Sequence, residues 1–235
     1  MHHDDPDEVD GAPVEPAADP TRAGLVISAA VGIIGVTFGV LARAAGLDVP
    51  RASAMSLLVF TGASQFAVVG VAASGGSMVA AFGAATLLAA RNMLYGPVVG
   101  RWLDGPVWRR ALLAQVLIDE SAGVGAAQPD PASARRGFVV TGLGVFVTWN
   151  LGTLIGAFSG DLIGDPARFG LDAAFPAGFL ALLAPHLRTL PGRVAAAVGA
   201  GLALVAVPFV PVGVPILLAA LAVVPAARVR RAVGP

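Results

Sequence analysis

The chain has 235 residues, 56% of them hydrophobic and 13% charged, with a formal net charge of zero and a mean hydropathy of +0.79. Soluble domains usually carry about 25% charged residues, so this composition excludes an ordinary water-soluble fold and predicts an all-α, polytopic transmembrane helix bundle. The absence of cysteine excludes a disulfide framework, a thiolate nucleophile and a Cys-ligated metal.

Residues 1–22 are expected to form a disordered acidic tail, and residues 23–231 the membrane domain. Asp4, Asp5, Asp7, Glu8, Asp10, Glu15 and Asp19 crowd into the tail beside several prolines, and such a segment buries too little apolar surface to fold. It does not resemble a signal peptide, being acidic where such peptides are basic. His2 and His3 are flexible and lack a scaffold, so no metal site is expected.

A membrane crossing needs about 20 mostly apolar residues. Residues 24–46 qualify as the first span, with Gly35 and Gly39 four apart on one face. Small residues at that spacing let helix backbones approach closely in lipid. The second span, 52–74, is interrupted by Phe60-Thr61-Gly62-Ala63-Ser64-Gln65-Phe66. Thr61, Ser64 and Gln65 share a helical face, and Gly62 offers a place to unwind. Unwound backbone at membrane depth is tolerated where it lines a cavity, and there it commonly binds solute. Hydroxyls and amides also serve as glue between helices.

The third span, 77–100, carries Arg91 and Asn92 with Tyr95 one turn on. Arg91 is placed either to hold a substrate carboxylate or to neutralise a neighbouring acid. A weaker fourth segment, 108–127, carries Gln115, Asp119 and Glu120. An ionisable group inside a span costs at least about 2.5–3.5 kcal/mol and so needs a partner, water or a task. Adjacent residues point about 100° apart on a helix, so the two acids do not share one partner. One of them is a candidate for proton or ion coupling.

In the fifth span, 137–160, Trp149-Asn150 stands ahead of Gly152, Gly156 and Gly160 and reads in the same two ways, as a solute site or as glue between helices. A sixth, 171–188, begins at Asp172 and is interrupted by Pro176. The stretch 193–228 is too long for one span and is cut by Pro208, Pro211 and Pro215; it reads as two short helices or one broken one. The total is seven or eight spans. Gly35/Gly39 and Gly152/Gly156 are offset by 117 residues, and Phe60 and Phe175 by 115, which suggests an internal repeat with broken helices. His186, near a span end, reads as interfacial. There is no P-loop, no G-x-G-x-x-G after a strand, no H-E-x-x-H and no G-x-S-x-G, so no cofactor or ATP-driven motor is expected.

These motifs together resemble the AzlC family, the large subunits of branched-chain amino-acid exporters. The resemblance runs in order through Gly35–Gly39, Ser56 with Phe60–Phe66, Arg91–Tyr95, Asp119-Glu120-Ser121, Trp149 with Gly152 and Gly156, and Gly170–Asp172 with Phe175–Ala177 and Pro185. Family members often read Asn-Leu-Arg-His before the Tyr. Here Arg91 precedes Asn92, so no role is carried over onto Arg91. The resemblance implies a secondary transporter, not an enzyme, that exports Val, Leu, Ile and Met across the cytoplasmic membrane beside a small AzlD-like membrane subunit. The expected substrate-binding residues are Phe60, Thr61, Ser64, Gln65, Asn92 and Asn150, with Asp119 and Glu120 for coupling. Competing readings are a membrane-embedded enzyme using the Asp119/Glu120 pair, and a scaffold that stabilises a partner.

Overall fold

The computed structural model describes residues 19–163, 168, 170, 173, 176, 180, 183, 184 and 186–233. Most of the tail and of the expected 171–188 span, including Asp172 and Phe175, lies outside the described residues. Every regular element described is helical. In order these are α1 (Pro20–Ala44), α2 (Val49–Leu58), α3 (Gly62–Ala73), α4 (Met78–Val99), α5 (Val107–Ala114), α6 (Asp119–Ala126) and α7 (Pro131–Ile163). After a short 3₁₀ turn at His186–Arg188 come α8 (Leu190–Ala206), α9 (Val214–Ala219), a second 3₁₀ turn at Ala220–Ala222, and α10 (Val223–Val233).

Among the described residues, three helices are long and apolar enough to cross a membrane: Pro20–Ala44, Met78–Val99 and Pro131–Gly160. The expected spans 52–74 and 108–127 are instead pairs of short helices, α2–α3 and α5–α6. The 193–228 stretch is α8, then a Pro-containing link, then α9 running through a 3₁₀ turn into α10. Gly213 has a positive φ of 91° at that link, and a Cβ there would meet the Ala80 Cβ at 2.8 Å. Both facts require glycine. Side chains such as Ile33, Phe82, Ile155 and Phe158 point outward, 59–74% exposed. A surface of that kind is suited to lipid and not to water.

Capping fixes where the long helices begin. Asp19 accepts from the Thr21 N–H ahead of Pro20, so α1 starts inside the expected tail. Ser77 caps α4 through the Ala80 N–H. At α7, Asp130 Oδ1 accepts from the N–H groups of Ala132 and Ser133, both at 3.0 Å. Hydrogen bonds from Ser133, backbone first, hold the Asp130 carboxyl below its usual range. A depressed folded-state pKa stabilises above the unfolded value and is lost as pH falls through the folded one. Asp130→Ala is therefore expected to lower the melting temperature by a few degrees and to flatten its dependence on pH in the acid range, read by thermal melts across pH.

The centre of the molecule is the pair α1 and α7. They run parallel, because contacts advance together along both: Gly24 with Thr141, Gly32 with Thr148, Gly35 with Trp149, Gly39 with Thr153, and Gly160 with Arg43. The contacts are reciprocal. Gly35 abuts Trp149 while Gly152 abuts Gly32, and Gly39 abuts Thr153 while Gly156 abuts Val36. Each member of one contact lies 117 residues from its counterpart in the other (35 to 152, 32 to 149, 39 to 156, 36 to 153). The offset that relates the glycines in sequence is thus the register at which the helices touch. Thr148 Oγ1 reinforces it by donating to Ser28 O at 2.6 Å. Around this pair Phe38 stacks on Trp149 at 5.8 Å, and Phe66 meets both rings edge-on.

Candidate functional site

Two chain breaks face each other beside α4. In the first, α2 ends at Leu58, and Val59, Phe60 and Thr61 link it to α3. Thr61 is extended (φ −151°, ψ 100°) and makes no side-chain cap. Tertiary contacts hold this break in place of a helical turn. Gln65 Nε2 donates to Met55 O at 3.0 Å, tying α3 back to α2. The Phe60 ring packs edge-on against Phe146 of α7 at 5.0 Å, and Ser56 Oγ donates to Thr153 Oγ1 at 3.1 Å.

In the second break, α5 ends at Ala114 and the chain runs through Gln115–Ile118 to α6. Ser121, fully buried, organises it: its hydroxyl accepts from the Ile118 N–H and donates to Val116 O at 2.8 Å. Asp119 and Glu120 occupy the first turn of α6, where negative charge complements the helix dipole. The breaks are joined directly. Gln115 Nε2 donates to Leu57 O at 3.0 Å.

Between them lies a cleft of about 420 Å³, within the range of small-molecule sites. Leu58, Val59, Phe60 and Thr61 line it from the first break, and Ala114, Gln115 and Leu117 from the second. Asn92 and Met93 of α4 complete the wall. The lining is mostly apolar, with one hydroxyl and two amides, and no charged side chain belongs to it.

The expected substrate-binding residues divide into three groups. Phe60, Thr61 and Asn92 line the cleft. Ser64 and Gln65 are fully buried behind it; the Ser64 hydroxyl bonds Ala85 O of α4 and the Gln65 amide bonds α2. Both side chains brace the broken helix to its neighbours. Asn150 lies on α7 and bonds Phe146 O one turn back; it is not part of the cleft wall. Gln115 and Met93 belong to the wall and were not on the expected list. An amide one turn before an acid in an apolar segment was the available signal for Gln115.

Asp119 and Glu120 do not line the cleft and have different surroundings. Arg91 Nη2 meets Asp119 Oδ2 at 2.6 Å, with 34% and 22% of the respective side chains exposed. Tyr95 lies against the same carboxylate. Arg91 is thus the counter-ion of Asp119, the second of its two readings. Glu120 forms no ion pair among the described residues. Gln65 Oε1, Asn92 Oδ1, Asp119 Oδ1 and Asn150 Oδ1 are buried without a hydrogen-bond partner. A polar atom left unsatisfied costs about 1–3 kcal/mol, and such atoms gather where water, a solute or motion supplies the missing partner.

The family model described as AzlC protein matches residues 26–163, a stretch that contains α7, both breaks and the whole cleft wall. A relative from Archaeoglobus fulgidus, described as an uncharacterized membrane protein, is 32% identical over 185 residues, covering 76% of this chain and 81% of its own. No solved structure matches the chain.

Proposed function

Because this chain belongs to the AzlC family of membrane proteins, we propose that it is the large subunit of a secondary exporter of branched-chain amino acids. It works in the cytoplasmic membrane with a small AzlD-like membrane subunit, and it is a transporter rather than an enzyme. In this reading the chain crosses the bilayer seven or eight times. α1, α4 and α7 are continuous crossings, α2–α3 and α5–α6 are interrupted ones, and the region beyond α7 supplies the remainder. The reciprocal α1–α7 register supports an internal repeat.

One observation carries the proposal: a cleft of amino-acid size opens where two interrupted helices meet in an otherwise lipid-facing chain. Non-helical backbone at membrane depth survives only where protein or a wet cavity covers it, and transporters place their solutes at such interruptions. Leu58, Val59, Phe60 and Met93 give a branched side chain an apolar wall, while Thr61 and Asn92 offer polar contacts. Such a wall separates side chains differing by a methylene by only about 1–3 kcal/mol, so Val, Leu, Ile and Met overlap as substrates.

Ion coupling, by protons in this proposal, falls to Glu120, since Asp119 is committed to Arg91. Ser64 and Gln65 hold the break at which the solute sits. Proteoliposomes containing both subunits and loaded with radiolabelled valine should lose label faster than protein-free vesicles. Efflux at the background rate with both subunits present would end the reading. Glu120→Gln should keep assembly with the small subunit and cut flux about tenfold or more, whereas a scaffold would keep its partner's activity intact.

A further inference from the structure

We infer that the corner between α4 and α5 binds the phosphate headgroup of an anionic phospholipid. Three arginines surround one turn there. Arg101 follows the end of α4, and Arg109 and Arg110 lie in the first turn of α5. Both α5 side chains fold back over bare backbone: a Cβ at Gly105 would meet Arg109 Cδ at 3.4 Å, and one at Gly100 would meet Arg110 Nη2 at 3.7 Å. All three are exposed, and none makes a side-chain hydrogen bond or ion pair among the described residues. Asp104, the one acid in the turn, makes none either and leaves the corner net positive. By contrast Arg51 meets Asp48, and Arg91 meets Asp119. Like charges gathered in this way repel one another until an anion joins them, and the guanidinium fork matches phosphate oxygens two at a time. None of these arginines lines the cleft, so the inference does not rest on the transport reading.

The occupant is a lipid because the same helix turns apolar side chains outward. α5 buries no residue, and Val107, Trp108 and Leu112 are 66–80% exposed. Trp108 and Leu112 stand one turn apart on one face. A soluble anion leaves that face bare, whereas the acyl chains below a headgroup cover it, and tryptophan beside arginine suits the membrane–water interface. The charge is also one-sided: the turn at the other end of α4, Ser74-Gly75-Gly76-Ser77, carries no charged residue. Arginine near a span end marks the cytoplasmic side, whose leaflet holds anionic lipid. The chain has its own competing anions in Asp4, Asp5, Asp7, Glu8, Asp10 and Glu15, but residues 1–18 bring no aromatic, leucine or isoleucine to cover α5.

Native mass spectrometry of the full chain, released from nanodiscs of phosphatidylglycerol mixed with phosphatidylcholine, tests this. The wild type is expected to retain phosphatidylglycerol in preference, and the triple variant Arg101→Gln/Arg109→Gln/Arg110→Gln to lose about tenfold of that preference or more. Arg51→Gln, at an arginine already paired, should leave it unchanged. Equal retention of the two lipids by the wild type overturns the inference. So does an unchanged preference in the triple variant, or a comparable loss in Arg51→Gln, which would be a general effect of charge. Inorganic phosphate without effect on the retained lipid supports a lipid site, and phosphate that displaces it identifies a site for a free anion and overturns the inference. A full-length chain with Asp4, Asp5, Asp7, Glu8, Asp10 and Glu15 changed to their amides examines the other occupant. A preference that appears only in that chain gives the corner to the acidic tail and overturns the lipid site; the same preference in both chains supports it. If the triple variant does not fold, the wild-type lipid comparison and its phosphate arm decide.

Discussion

Replacing Gly156 with valine is expected to separate α1 from α7 and to abolish recovery of monodisperse protein. A Cβ at Gly156 would overlap Val36 O, and one at Gly39 would overlap Thr153 O. In both cases the obstructing atom is backbone, which cannot turn aside as a flexible side chain would. Ordinary overpacking costs about 1–3 kcal/mol; a clash with a neighbouring helix's backbone belongs at or above the top of that range. Because the contacts are reciprocal, Gly39→Val should do comparable damage from the other helix. Gly201 in α8 provides the control, since a Cβ there would meet nothing within 4 Å. Gly201→Ala is expected to leave the protein intact and to raise its melting point slightly, by helix propensity worth about 0.5–1 kcal/mol. Size-exclusion profiles and melts of the three variants in one detergent read the outcome. A Gly156→Val protein that elutes and melts like wild type would show that the helices do not meet at this register.

The second large effect concerns the ion pair. Arg91→Met leaves Asp119 partly buried without its counter-ion, and Asp119→Leu does the same to Arg91. Breaking a buried pair from one side costs about 3–5 kcal/mol; with a fifth to a third of each side chain exposed, about 2–3 kcal/mol is the reasonable expectation. The double variant Arg91→Met/Asp119→Leu should recover most of that loss, because replacing both charges removes the uncompensated one. Melting temperatures of the two single variants and the double one form the cycle. Additive losses would mean that the two side chains do not depend on each other, and Asp119 would then join Glu120 as a free acid available for coupling.

The difference between these two acids was not legible in the chain. Asp119 and Glu120 are neighbours with the same chemistry, and nothing in their order says which one meets Arg91, 28 residues earlier on α4 (119 − 91 = 28). Local spacing did mark Phe60–Phe66 as a place to unwind, and the helix stops there, at Val59–Thr61. The same spacing suggested that Thr61, Ser64 and Gln65 would share one face. With Thr61 extended outside α3, the helical phase between it and the other two is lost. Thr61 turns to the cleft while Ser64 and Gln65 turn inward to brace α4 and α2. The second break carried a weaker signal. No glycine or proline marks Gln115–Ile118, and the interruption is held by Ser121 reaching back to Val116 and Ile118.

The sequence by itself determined that this is an apolar helical protein, where its long apolar helices run, and which glycines allow close approach, because composition and helical period are local properties of each segment. Only the tertiary structure decided that α1 and α7 meet in parallel at a 117-residue offset, that two segments break where they face one another, and that the cleft wall joins both breaks to Asn92 and Met93 of α4. Those outcomes depend on backbone carbonyls finding donors on other helices, such as Leu57 O on Gln115 and Met55 O on Gln65. A hydrogen bond between segments far apart in the chain leaves no periodicity to read.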